Sequence, residues 1–152
     1  MKTPTISVYN RQRRVRFPLA WLRRVAEEAL GLCLGESADG RFALAQLGEV
    51  EVSVVSDAVI ARVHKEFMGI EGATDVITFD HGEIVVSAET AVANAGEFGG
   101  AVEEELALYV VHGLLHLNGF TDDRAAQARK MDRVQQRLLR VCLEKNPTPQ
   151  NL

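Results

Sequence analysis

Hydrophobic and polar positions along the chain follow two kinds of pattern, one with the period of a strand and one with the period of a helix. Short runs rich in valine, isoleucine and threonine predict strands at residues 5–9, 49–55, 75–79 and 83–87. Only three residues separate the last two runs. This spacing predicts a tight turn or a short excursion of the chain between two neighbouring strands.

Apolar side chains at helical spacing predict five helices in the rest of the chain. The first covers residues 18–36, and the second has Ser56 as its N-cap and runs from Asp57 towards Gly69. The other three are predicted at residues 88–95, 102–117 and 123–144. The resulting order, βαβαββααα, predicts an α+β fold in which about five helices pack with a small mixed sheet of four strands.

Length and composition are those of one ordinary globular domain. A chain of 152 residues, 47% of them hydrophobic, can bury a core large enough to fold alone. We expect a single domain over residues 1–145 and a flexible tail over residues 146–152. Cys33 and Cys142 are too few and too far apart for a disulfide framework, so they are expected to be core thiols in a reducing compartment.

Charge and hydropathy limit the classes of partner. A net charge of -4 argues against non-specific coating of nucleic acid. The basic run at residues 11–16, with Arg23 and Arg24, is typical of a solvated face, but it could also follow an RNA backbone. No stretch approaches the roughly 18 to 20 apolar residues of a membrane helix, and the N-terminus has no apolar signal region. A cytoplasmic protein with no membrane partner is therefore expected.

Candidate chemistry is concentrated in the fourth predicted helix. His112 and His116 lie four residues apart, so on a helix their imidazoles project one turn above each other and can bind one metal ion. Gly113 lies beside the first histidine and Gly119 follows the helix, and glycine in or near a helix lowers its stability. Their presence indicates that another part of the molecule approaches closely there.

The third ligand is expected in the loop after this helix. A catalytic zinc commonly has three protein ligands and one open position, and Asp122 lies where a returning loop could supply a carboxylate. Thr121, Asp122 or Asp123 could instead each cap the last helix. We favour a division of roles, with Asp122 on the metal and Asp123 at the helix start.

The residue beside the first histidine also limits the reaction. Metalloproteases with an HExxH motif carry a glutamate there as the general base, whereas this chain has Gly113. A metal that activates water or polarises a phosphoryl oxygen remains possible without that glutamate. The pattern therefore favours hydrolysis of a phosphodiester.

Three segments resemble one known family. The run HGLLHLNGFTDD is similar to the HGxLHLxGYDH signature of the YbeY family, and ATDVITF and GEIVVSAE resemble that family's PTDVLSF and GDIxIcxE segments. The resemblance implies a metal site at the end of a central helix, with one Zn²⁺ ion held by His112, His116 and Asp122. It also implies a zinc-dependent, single-strand endoribonuclease that uses metal-bound water in ribosomal RNA maturation and ribosome quality control. The implied partners are ribosomal RNA and components of the small ribosomal subunit.

Two positions depart from the family's pattern. Asp122 stands where the family usually has a third histidine, and Met68 stands where it usually has an arginine. Arg62 lies nearby in sequence and is the candidate to replace that arginine in phosphate binding. Thr74 and Asp75 either support the site or simply begin the third strand.

Other polar residues have structural interpretations. Ser87 and Glu89 are expected to begin the third helix as cap and dipole partner. His64 is expected to be packed or half-exposed, and His81 is left without a role.

Two alternative functions remain open from the sequence. The protein could be a metal-dependent hydrolase of another substrate, such as a peptide, or a non-catalytic ribosome-assembly factor with a structural metal. A fourth protein ligand would favour the structural metal, and an open coordination position would favour catalysis.

Overall fold

The computed structural model describes residues 3–149, which form a four-stranded sheet with helices on both faces. The strands are β1 Thr5–Asn10, β2 Glu49–Val55, β3 Val76–Phe79 and β4 Glu83–Ser87. The helices are α1 Leu19–Leu34, α2 Asp57–Met68, α3 Ala88–Phe98, α4 Val102–Leu117 and α5 Ala125–Lys145, with a 3₁₀ turn at Ala43–Gln46. The predicted α+β class and the order βαβαββααα are confirmed.

The sheet is mixed, and its antiparallel strand lies at one edge. The spatial order is β1-β2-β4-β3, with β1, β2 and β4 parallel and β3 antiparallel to β4. The predicted tight turn joins β3 to β4 and ends at Gly82, which has φ +113°. A Cβ atom at this position would come within 2.6 Å of the Glu49 carbonyl oxygen, so the turn requires glycine.

Alternate residues of the strands face two separate hydrophobic cores. The larger core lies between one face of the sheet and α1, α3, α4 and α5, and includes Val52 and Ile84. The smaller core lies under α2 on the opposite face, where Ile60 packs with Ile77 and Val85. The C-terminal end of α2 lies beside the edge strand, because Phe67 contacts Phe79 at the end of β3.

Polar side chains fix the starts of α2 and α3. Ser56 caps α2 by accepting a hydrogen bond from the Val59 amide at 3.3 Å, and Gly69 ends this helix with φ +67°. Ser87 caps α3 by accepting a hydrogen bond from the Thr90 amide at 3.1 Å. These caps confirm the predicted roles of Ser56 and Ser87.

The start of α5 corrects one prediction. The helix begins at Ala125 rather than residue 123, and Arg124 occupies the N-cap without a side-chain hydrogen bond. The assignment of Asp123 as the cap was therefore wrong. The reason is that the chain bends through residues 123 and 124, with Arg124 still in an extended conformation, before it enters the helix.

Both cysteines and the start of the predicted tail are held in the fold. Cys33 and Cys142 are free and buried, which confirms them as core thiols. The Trp21 indole donates a hydrogen bond of 2.8 Å to the Asn146 carbonyl, so the tail is anchored at its first residue. Residues 150–152 of that tail lie outside the described residues. Within residues 3–149, no helix has both the length and the apolar character needed to cross a bilayer.

Candidate metal centre

The C-terminal half of α4 places two imidazoles against each other. His112 and His116 are one helical turn apart, and their ring centroids lie 4.5 Å apart with the planes at 83°. The two Nε2 atoms approach to 3.0 Å. The helix therefore directs the same nitrogen of both rings to one point.

The opposite nitrogen of each ring is held by an oxygen acceptor. His112 Nδ1 lies 2.7 Å from Gln135 Oε1, and His116 Nδ1 lies 2.9 Å from the Phe120 carbonyl oxygen. Carbonyl and amide oxygens only accept hydrogen bonds, so each Nδ1 donates and carries the proton. Each Nε2 atom is then unprotonated and presents its lone pair, which is the form in which imidazole binds a metal.

Asp122 adds a carboxylate to this point. Its Oδ2 atom lies 3.8 Å from His112 Nε2 and 3.6 Å from His116 Nε2. Bonds of about 2.0–2.1 Å to a tetrahedral ion place ligand atoms about 3.3 Å apart, close to these separations. Two lone pairs and a negative oxygen repel one another unless a cation lies between them. The three side chains therefore fit a metal ion.

Burial favours the neutral, metal-binding form of His112. The two histidine side chains are only 29% and 26% exposed, while Asp122, at the rim, is 53% exposed. Burial, followed by the neighbouring His116, lowers the pKa of His112 below its ordinary value. A lowered pKa keeps the ring neutral, so little proton competition opposes metal binding.

Glycine allows α4 to approach the sheet at the level of the first ligand. A Cβ atom at Gly113 would lie 2.7 Å from Ile84 Cγ2 and 2.8 Å from Ile84 Cδ1. This contact confirms the expected close approach. The glutamate that an HExxH metalloprotease carries at this position would force the Ile84 side chain to move.

A buried amide fixes the end of α4, from which the loop to Asp122 begins. The Asn118 side chain accepts a hydrogen bond from the Leu44 amide at 3.1 Å and donates to the carbonyls of Cys33, at 2.8 Å, and Glu36. Gly119 follows with φ +94°, a conformation that glycine adopts without strain. These contacts turn the chain back towards the histidines.

The three candidate ligands open into a cavity of about 480 Å³. Phe120, Thr121 and the ligands form one wall, which we call the metal wall. The wall facing it, which we call the substrate wall, consists of Met68 at the end of α2, residues 75–78 and Asp80. Asp75 and Asp80 therefore line the cavity, although neither belongs to the three-residue ligand group.

The structure brings only some of the predicted supporting residues to the cavity. Asp75 lies on the substrate wall, where its Oδ1 atom accepts hydrogen bonds from the Val76 amide at 2.8 Å and the Thr74 hydroxyl at 3.3 Å. Thr74 thus orients Asp75 rather than lining the cavity itself. Among the described residues that line the cavity, Arg62 is absent. It lies exposed on α2, six residues before Met68 and about 120° around the helix.

The other two histidines lie outside the ligand group. His64 is half-buried, as predicted, and its Nδ1 atom lies 2.9 Å from the Gly72 carbonyl oxygen. His81 is exposed in the β3–β4 turn and stacks on Phe79, with ring centroids 5.7 Å apart.

Sequence reasoning missed two residues that position the ligands, Gln135 and Asn118. Gln135 occupies a buried position four residues after Met131 on the apolar face of α5. A polar residue at a core position of an amphipathic helix is a signal for a buried hydrogen-bond partner. Asn118 gave a weaker signal, because asparagine is also common where helices end.

Comparisons with known proteins identify the family of this chain. The family model described as endoribonuclease YbeY matches residues 7–142. A protein of that name from Moorella thermoacetica is 37% identical over 113 residues, 60% of this chain and 72% of the relative. Another from Geobacter sulfurreducens is 32% identical over 142 residues, 84% of this chain and 88% of the relative. The solution structure of TM1509 from Thermotoga maritima shares the fold, with a TM-score of 0.66 over 96% of both chains and 24% identity. The chain belongs to the endoribonuclease YbeY family.

Proposed function

We propose that the protein is a zinc-dependent endoribonuclease that cleaves single-stranded regions of ribosomal RNA. The observation that carries this proposal is the convergence of His112 Nε2, His116 Nε2 and the Asp122 carboxylate on one point at the base of an open cavity. Family membership supplies the class of substrate. Imidazole and carboxylate ligands suit zinc, which supports the choice of ion.

A bound divalent ion would supply Lewis acidity and lower the pKa of a coordinated water. The chain's own residues have separate tasks. Gln135 and the Phe120 carbonyl hold the two imidazoles in the tautomer that binds metal. On the substrate wall, Asp75 is oriented through its Oδ1 atom and is our candidate to accept a proton from the attacking water.

The number of ligands supports catalysis over a structural metal. Structural zinc sites usually have four protein ligands, whereas catalytic sites have three and an open position. Within residues 3–149, the ligand group consists of His112, His116 and Asp122 alone. A coordination position facing the cavity would therefore be available to water or substrate.

Steric crowding argues against the peptide hydrolase alternative in its HExxH form. This chain has no glutamate at Gly113, and a side chain there would force the buried Ile84 side chain to move. Phosphodiester hydrolysis does not require a base at this position.

The wider role is proposed from family membership. We propose action in ribosomal RNA maturation and ribosome quality control in the cytoplasm, with ribosomal RNA and components of the small ribosomal subunit as partners.

A cleavage assay on metal-replete and chelator-treated protein tests the proposed activity. Single-stranded RNA, duplex RNA and peptide panels should be offered in parallel, with metal content measured by elemental analysis. We expect cleavage of single-stranded RNA that is lost with chelator and restored by Zn²⁺, and that is absent from His112→Ala. RNA cleavage retained by fully metal-free protein would overturn the mechanism, and peptide cleavage without RNA cleavage would establish the alternative hydrolase.

A further inference from the structure

Large apolar side chains are exposed where α2 ends, beside the cavity. Phe67 is 63% exposed, Met68 54% and Ile70 48%. The smaller core under α2 includes Phe79 among its partly buried members, whereas Phe67 remains largely in solvent. Packing of the fold therefore does not account for the exposed face of the Phe67 ring.

Three rings form a continuous row at this place, which we call the aromatic row. Phe67 meets Phe79 edge to face, with centroids 5.4 Å apart and planes at 81°. Phe79 in turn stacks on His81, with centroids 5.7 Å apart and planes at 24°. The half-buried Phe79 is thus a fixed support between two exposed rings, Phe67 and His81.

The aromatic row begins at the rim of the candidate metal centre. Met68, the residue after Phe67, lines the cavity on the substrate wall. Thr78 and Asp80, which flank Phe79 in sequence, line the same cavity, so the Phe79 ring points to the opposite face of β3, where it packs with the smaller core. A chain-like substrate with its reacting group at the metal centre would reach the aromatic row by passing over Met68 and around the edge strand β3.

Charges around the cavity indicate how such a substrate is held. Asp75, Asp80 and Asp122 line the cavity, and none of the described residues lining it is an arginine or lysine. Phosphate groups inside the cavity therefore find no protein cation among these residues, so contacts other than ion pairs are needed to hold RNA there. Stacking of bases on exposed aromatic rings is such a contact, and it is available only to bases not already stacked in a duplex.

We propose that the aromatic row is a stacking surface for unpaired nucleobases next to the phosphate at the metal centre, with Phe67 and His81 as the contacting rings. This inference rests on the proposed function and adds the physical source of affinity and of single-strand preference. A docking site for a protein segment is the competing occupant of the same rings.

Equilibrium binding in the presence of chelator tests the inference without cleavage. The probe is a fluorescently labelled single-stranded oligoribonucleotide, followed by anisotropy, and the variants are Phe67→Ala, Phe67→Leu and Phe67→Trp. Phe98→Ala is the matched control. Phe98 is 76% exposed at the last residue of α3, and Phe67 is 63% exposed one residue before the end of α2. Melting curves establish that each variant is folded.

We expect Phe67→Ala to weaken binding by roughly 10- to 100-fold, the range that loss of one stacked base gives. Phe67→Leu should resemble Phe67→Ala, because leucine keeps apolar surface but no ring, whereas Phe67→Trp should bind at least as tightly as the unmodified protein. Phe98→Ala should stay within about twofold. An oligonucleotide with abasic residues should bind weakly and should no longer distinguish Phe67→Ala from the unmodified protein.

Three results would overturn the inference: no measurable binding by the unmodified protein, equal binding by Phe67→Ala and Phe98→Ala, or full binding by Phe67→Leu. If Phe67→Ala bound RNA as tightly as the unmodified protein but lost binding to a protein segment, the aromatic row would be assigned to a protein partner. No metal is present in this assay, so binding is measured separately from cleavage. If binding depended on the Phe67 ring but the metal-replete protein never cleaved RNA, the proposed nuclease chemistry would be rejected and the stacking surface would be retained.

Discussion

The metal wall and the substrate wall of the cavity are built in different ways. On the metal wall, His112 and His116 are about three-quarters buried, and each has its Nδ1 atom held by an oxygen of a different segment, at 2.7 and 2.9 Å. On the substrate wall, Met68, Asp75 and Asp80 are exposed. The backbone of both walls is fixed by the fold, since residues 76–78 pair with β4, but only the side chains of the two histidines are held by buried partners.

This difference follows from what each wall has to do. Metal ligands must be held close to their bonded geometry, and buried hydrogen-bond partners provide that preorganisation. A surface that receives a polymer must remain accessible, so it cannot be buried under other elements. The metal ligands should therefore be intolerant of substitution, while the exposed side chains of the substrate wall should tolerate it and modulate substrate binding.

Removal of the third ligand should have the largest effect. Asp122→Ala should lower metal affinity by more than 100-fold, beyond the ~10–100-fold typical of residues that only orient a ligand. Asp122→His should retain the metal, because imidazole replaces carboxylate as the ligand. Asp123→Ala is the matched control, since Asp123 is the neighbouring exposed aspartate and does not cap α5.

Elemental analysis and metal titration of the three purified variants check this prediction. Asp123→Ala should keep near-stoichiometric metal and change the free energy of unfolding by less than about 0.5 kcal/mol, as for an ordinary surface position. Full metal occupancy in Asp122→Ala would show that the third ligand has been misassigned.

Metal removal should loosen one wall and leave the other unchanged. An ion bound only by the folded state adds about 2.7 kcal/mol to the free energy of unfolding at a hundredfold excess over its Kd. For a chain of this size, that corresponds to roughly 5–10 °C in Tm. Chelator should lower Tm by this amount, and hydrogen exchange should accelerate in residues 118–124 but not in β3. An unchanged melting curve after verified metal removal would show that the ion does not brace the metal wall.

The predictable part of the molecule is the part fixed by local geometry. Strand and helix periodicity predicted the element order, because each element packs through its own repeating face. His112, His116 and Asp122 lie within one short stretch, so helix geometry and a glycine turn bring them together. Family resemblance directed attention to the same three residues.

Long-range contacts explain what the sequence did not reveal. Gln135 lies 23 residues from the histidine that it orients, and Asn118 reaches partners 74 and 85 residues away. The substrate wall is assembled from the end of α2 and an edge strand, so its membership depends on the order of strands in the sheet. Arg62 illustrates this limit, because its closeness to Met68 in sequence does not place it at the cavity.

Loss of the buried amide beside the first ligand should have an intermediate effect. Gln135→Leu keeps much of the side-chain volume but removes the acceptor for His112 Nδ1, so metal affinity or activity should fall about 10–100-fold. Gln135→Glu retains an acceptor and should recover most of the loss. Metal titration of both variants provides the measurement. If Gln135→Leu bound metal as tightly as Gln135→Glu and the unmodified protein, the hydrogen bond to His112 would not be what positions the ligand.

The smallest change is expected on the substrate wall, at Met68, where the resemblance to the family led us to expect an arginine. Met68→Arg would place a cation at the rim of a cavity that contains three aspartates and no arginine or lysine among its described lining residues. An exposed ionic contact contributes up to about 1 kcal/mol, so kcat/KM for single-stranded RNA should rise by no more than about fivefold. The increase should diminish with added salt, because exposed charges are screened.

Arg62→Met is the control and should change kcat/KM by less than about twofold, since Arg62 does not line the cavity. If Arg62→Met instead abolished cleavage while Met68→Arg had no effect, the RNA backbone would have to cross the other side of α2, and the substrate wall described here would not be the surface that receives it.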